Sequence, residues 1–270
     1  MNQMNHGSGR RATTGAVPHV DAAGTSETGS VPYPNEIKFA VKPRQILHML
    51  LMVTALQVVL STGGQAMIHY FPDFPLRDGV ANLFYVDNEQ SLPTLYSSTT
   101  LLVAALLFGI LAYAHGRGGR AYVRHWAALS VVFVLLALDE FGSMHERAIE
   151  PLRGLLDIQG GPLWFAWVIP GAIVTALLGI AFLRFFRHLP RNTRRLLWLA
   201  GTLFVGGAIG VEMISGSYSA VHGELNMAYV LIVTIEETLE MLGIAALVYA
   251  LIAYIPVGLP NVKWGLWVTA

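Results

Sequence analysis

Four stretches of this chain run for more than 20 residues without an Asp, Glu, Lys or Arg: 45–72, 90–116, 158–183 and 241–262. A helix needs about 20 mostly apolar residues to cross a bilayer. A soluble helical core has no need of such runs. They predict an all-α, polytopic transmembrane helix bundle embedded in a lipid bilayer. Two further apolar segments carry acids and bring the count to six. The predicted spans are 46–68, 93–114, 125–144, 163–183, 196–216 and 228–255, with Pro170 expected to kink the fourth.

Composition narrows the function classes. Of the residues, 54% are hydrophobic and 13% charged, against about 25% charged in ordinary soluble domains. Lys plus Arg equals Asp plus Glu at 17 each, so no basic excess points to nucleic acid. There is no cysteine, which removes disulfides, thiolate metal sites and cysteine nucleophiles. Residues 1–36 are rich in Gly, Ser, Thr, Asn and Pro and poor in large apolar residues. They are expected to form a disordered cytoplasmic tail, retained because no apolar run closely follows Arg10-Arg11. The six-span domain is expected to fill residues 37–270.

The basic residues predict orientation, because Lys and Arg are held in cytoplasmic loops. Arg10, Arg11, Lys38, Lys42 and Arg44 precede the first span. Arg117, Arg120 and Arg124 separate the second and third, and Arg184, Arg187, Arg191, Arg194 and Arg195 separate the fourth and fifth. With Lys263 these are 14 of the 17 basic residues. Only Arg77, Arg147 and Arg153 fall on the other side. The pattern predicts both termini in the cytoplasm, and the lack of targeting features suggests a bacterial inner membrane. On the outer side, residues 78–85 are expected to form a short interfacial helix.

The informative residues are acids inside the spans, which are costly in a membrane and are functional hypotheses by default. Asp139 and Glu140 lie in the third span, Glu212 in the fifth, and Glu236, Glu237 and Glu240 in the sixth, with His145 and Glu146 just beyond the third. At 1.5 Å per residue, Asp139 lies about 12 Å inward of Arg147, and Glu236 about 15 Å and Glu240 about 21 Å inward of Asn226. The acids therefore share the outer half of the membrane. Helical phase groups Asp139 with Ser143 and Glu146, and Glu236 with Glu240 and Gly243. It also groups Gly201, Ala208, Glu212 and Gly216 on one stripe of the fifth span. Gly206 with Gly210, and Gly171, Thr175 and Gly179, are expected at tight helix contacts.

No span core carries Lys or Arg, and His145, His69, His222 and Arg147 are too few to neutralise these acids. A buried, unpaired carboxylate takes up a proton or binds a cation. Asp139, Glu140, His145, Glu146, Glu212, Glu236, Glu237 and Glu240 are thus the candidate ligands of a cation. The ligand types suit Mn, Fe or Zn, but the chain lacks the Glu-x-x-His pair of di-iron bundles and the His-Glu-x-x-His motif of zinc proteases.

Three classes stay open. A transporter or relay would move protons or a cation through the acids. An enzyme would hold a metal that acts on a small lipid-soluble substrate. An assembly subunit would use protonated carboxyls as helix glue, hydrogen-bonded to one another or to Ser143, Thr234 or Thr238. The apolar run 242–253 favours a site that is closed towards the cytoplasm. His48, His115, His125 and His188 are expected at the cytoplasmic boundary. Trp126, Trp164, Trp167 and Trp198 fit interfacial aromatic belts. Glu146, Arg147, Glu150 and Arg153 fit a solvated, salt-bridged surface.

Overall fold

The computed structural model describes residues 42–259, which are helical with connecting turns. The expected tail, with Arg10, Arg11 and Lys38, and the distal Lys263 lie outside the described residues. Six helices are long and apolar enough to cross a membrane. They are α1 (Pro43–Tyr70), α3 (Leu92–Arg117), α4 (Val123–Gly142), α6 (Val168–His188), a composite fifth span and α9 (Met227–Gly258). The fifth span runs as α7 (Arg191–Val205), a π-helical segment (Gly206–Val211) and α8 (Glu212–His222). Two short helices, α2 (Arg77–Phe84) and α5 (Ile149–Leu156), lie in the connections at one end. That end carries Arg77, Arg147 and Arg153, and is called the acidic end below. The other carries the larger set of arginines and is called the basic end.

Local chemistry sets the helix ends. Ser91 caps α3 by accepting the Thr94 amide at 3.2 Å, and Asn226 caps α9 by accepting the Tyr229 amide at 3.0 Å. Pro170 falls in the first turn of α6, where its missing N–H removes no helix bond, so the expected kink is corrected. The fourth span begins at Val168 and not near 163, because 161–163 forms a separate 3₁₀ turn.

α9 and α3 are the central helices, with about half of their apolar windows buried. α1, α3, α7 and α8 pack on α9, and α4 packs on α3. Exposed Met52, Val59, Leu106, Val131, Leu177 and Ile180 form the lipid-facing surface. Of the expected small-residue contacts, Gly206, Gly210 and Gly179 have open space beside them, and Gly171 meets only the ring of Trp167. The close contacts fall instead at Gly207 and Gly243. A Cβ on Gly243 would lie 2.7 Å from the Phe204 nitrogen and 2.9 Å from the Ala200 oxygen.

The basic half is filled with apolar and aromatic side chains. Phe108, Leu111, Trp126, Phe185 and Leu251 are essentially inaccessible. Trp126 meets Phe185 edge-on at 4.8 Å and Tyr254 at 5.3 Å. His115 lies in the last turn of α3, as expected for the boundary, but is buried against this plug rather than exposed. Its Nδ1–H donates to the Leu111 carbonyl at 2.8 Å, and the Tyr254 hydroxyl lies 3.3 Å from its Nε2.

Candidate functional site

The acidic half is polar where the basic half is dry. Glu212 stands at the start of α8 and Glu236 on α9, and Ser215 lies between them. The Ser215 Oγ is 3.2 Å from Glu236 Oε2, 3.4 Å from Glu212 Oε2 and 3.0 Å from the Glu212 carbonyl. The Trp167 indole N–H donates to Glu212 Oε1 at 2.7 Å. Glu236 is buried, at 6% exposure.

A second unit sits at the lip. α4 stops at Gly142 because Ser143 takes a left-handed backbone, φ 43°. The chain reverses there, so the expected helical alignment of Asp139, Ser143 and Glu146 is corrected. His145 folds back onto Asp139 instead. Its backbone amide donates to Asp139 Oδ1 at 2.9 Å, and its Nδ1–H to Oδ2 at 2.8 Å. The imidazole packs on Trp167 at 4.5 Å between ring centres. Trp167 therefore touches both units. Burial lowers the His145 imidazole, but the hydrogen bond and charge of Asp139, with Glu146 and Glu212, outweigh it and leave it raised.

Eight residues were expected to converge. Four do so, as the pairs Glu212–Glu236 and Asp139–His145. Glu146 turns outward and meets Glu89. Glu140, Glu237 and Glu240 stay partly buried but join neither hydrogen-bonded pair. Ser143, Thr234 and Thr238 do not serve as the expected glue. Thr234 donates to the Val230 carbonyl and Thr238 to the Thr234 carbonyl, both at 2.6 Å. Of the expected surface quartet, Glu150 and Arg153 pair with each other, and the Arg153 guanidinium also lies over Trp164 at 3.8 Å. Among the described residues, no three of His, Asp and Glu are gathered as a metal ion would require.

Two acids ahead of the second span, Asp87 and Glu89, also belong to this end. Ser61 of α1 accepts the Val86 amide at 3.2 Å, which holds the following loop over the bundle. Asp87 in that loop accepts from the Tyr85 hydroxyl at 3.1 Å. Asp87 keeps open surface, yet loss of water around it pushes its carboxyl up to about 7. The Tyr85 bond opposes this, and the charges of Glu146, Glu212 and Glu224 add to it. Glu146 is likewise pushed up to about 7, first by desolvation and then by the bond to Glu89, with His145 opposing.

Sequence reasoning missed Trp167, Ser215, Asp87 and Glu89. It also missed a polar stripe on α1, where Thr54, Gln57, Ser61 and Gln65 are all buried. Their spacings of 3, 4 and 4 were the available signal, hidden because the residues are uncharged. Gln57 Oε1 meets no donor among the described residues.

A plugged half, a polar half and six apolar helices define a multi-pass α-helical integral membrane protein. The chain belongs to the family described as Domain of unknown function (DUF8692), whose model matches residues 49–254 and so takes in every acid discussed above. No curated protein and no solved structure matches it.

Proposed function

We propose that this protein binds protons in its membrane-buried carboxyl network and acts as a proton-coupled transporter or relay. The observation that carries this reading is the geometry at Ser215. Its hydroxyl has one hydrogen, but two carboxyl oxygens and a carbonyl lie within reach. One hydrogen cannot serve all three. The arrangement balances when a carboxylic acid donates to Ser215 Oγ. Glu212 already receives the Trp167 N–H, which suits a carboxylate. Among the described residues the Glu236 carboxyl has Ser215 as its one neutral hydrogen-bond partner, with no N–H donor, and suits the acid. A proton is then shared across Ser215, and either carboxyl can hold it.

The Asp139–His145 pair supplies a titratable group at the lip, with Trp167 between it and Glu212. The aromatic plug closes the route towards the basic end, so protons exchange from the acidic end. The excess of arginine at the basic end supports a cytoplasmic position for that end, and with it an N-in, C-in topology in a bacterial inner membrane. The contacts are those of groups sharing protons, and among the described residues the metal reading with Mn, Fe or Zn has no converged ligand set.

The test is infrared spectroscopy of the lipid-reconstituted protein through a pH titration. A carboxylic-acid C=O band that persists above pH 8, where Asp87 and Glu146 are ionised, is expected in the native protein and is lost in Glu236→Gln. A native protein without that band, or stoichiometric metal that disappears in Glu236→Gln, would overturn the reading.

A further inference from the structure

The fifth span must present residues to α9 at two heights. Near its middle, Ala200 and Phe204 lie against Gly243. Nearer the acidic end, the Glu212 carboxyl lies beside that of Glu236, and Ser215 of the same span bonds to both. On an unbroken α-helix, residues 200 and 212 differ by about 1200°, so Glu212 would point about 120° away from the Ala200 contact. The six π-helical residues from Gly206 to Val211 lie between the two contacts. A π turn takes in one more residue per turn than an α turn, which returns about 100° of phase. The residual offset is about 20°, and both contacts fall on one helix.

We infer that the π segment is the positioning device of the carboxyl pair, absorbing one residue of helix phase so that Glu212 meets Glu236. Gly207 is the residue that lets it sit there. A Cβ at 207 would lie 2.8 Å from the Glu236 carbonyl oxygen and 2.9 Å from Glu240 Cγ. The flanking Gly206 and Gly210 have nothing within 4 Å, so they relieve no such contact. The inference deepens the proton-binding reading but rests on geometry alone for its test.

The chain has no cysteine, so an introduced pair reports proximity directly. Glu212→Cys with Glu236→Cys is prepared in the full chain and treated in membranes with a short thiol-specific cross-linker. Three backgrounds are compared: the intact span, deletion of Ile209, and deletion of Ile209 with Gly210. One deletion converts the π segment to α-helix and keeps the phase. Two deletions rotate Glu212 away by about 100°. Cross-linking is expected in the first two backgrounds and at least tenfold slower in the third. Equal loss in both deletions, or no cross-linking in the intact span, would overturn the inference.

Gly207→Ala in the intact span is expected to slow cross-linking severalfold, while Gly206→Ala and Gly210→Ala leave it unchanged. A uniform response of the three would equally overturn the role given to Gly207. Failure of the infrared test with these cross-linking results intact would remove the proton reading and leave the positioning device standing.

Discussion

Trp167, at the cap of the fourth span, and Glu212, on the fifth, are 45 residues apart, yet the indole N–H donates to the carboxyl at 2.7 Å. Nothing in either local sequence announces the contact. It fixes which carboxyl of the Glu212–Glu236 pair has a second donor. Trp167→Phe keeps an aromatic ring beside His145 while removing that donor along with part of the indole. The expected cost is about 1–3 kcal/mol, the range for leaving a buried acceptor unsatisfied. Unfolding in mixed detergent micelles checks it, and a variant as stable as the native protein would show that the bond contributes nothing.

The imidazole of His145 is held above its ordinary value chiefly by Asp139, against the effect of burial. A group with a raised folded-state pKa adds stability that is fully present below its unfolded value, near 6.5, and lost as pH rises through the folded value. Asp139→Asn is expected to lower the His145 titration midpoint and remove this contribution. Histidine-resolved NMR titration of both proteins provides the measurement. An unmoved midpoint would mean that the bond does not control the ring.

Asp87 and Glu146 titrate near 7 in the folded protein, well above ordinary carboxyl values. Folding therefore favours their protonated forms. The benefit is fully present below pH 4 and declines as pH rises through 7. Stability at the acidic end should fall between pH 5 and 8. Asp87→Asn with Glu146→Gln should flatten that slope and raise stability at pH 8. Hydrogen exchange of the 85–91 and 143–148 segments at the two pH values measures it. A native protein with no slope would count against the assignment.

Gly243 and Gly201 make a controlled pair. At Gly243 an added Cβ would strike backbone atoms of α7, which cannot rotate away, whereas Gly201 has nothing within 4 Å. Gly243→Ala is expected to destabilise the bundle by about 1–3 kcal/mol, as overpacking does. Gly201→Ala should be neutral or slightly stabilising, because alanine favours helix. Thermal unfolding of both variants separates them, and similar midpoints would refute the contact.

The spans were readable because length and apolarity are local properties that a bilayer tests directly. Their number and a short helix near residues 78–85 followed from them. Position along each helix was readable too, since rise per residue hardly varies. Rotation was not. The stripe of Gly201, Ala208, Glu212 and Gly216 assumed unbroken α-helix, and the π segment invalidates that phase. The grouping of Asp139 with Glu146 failed for a related reason, a left-handed Ser143 that ends the helix and returns His145 to Asp139.

The chain by itself therefore determined that acids would gather in one half of the bundle with too few cations to neutralise them. Only the tertiary structure decided which acids meet, and which serine and indole stand between them. The physical reason is that apolarity sums along a segment. A hydrogen bond between spans depends on the rotation of two helices at once, and one extra residue in a turn shifts that by about 100°.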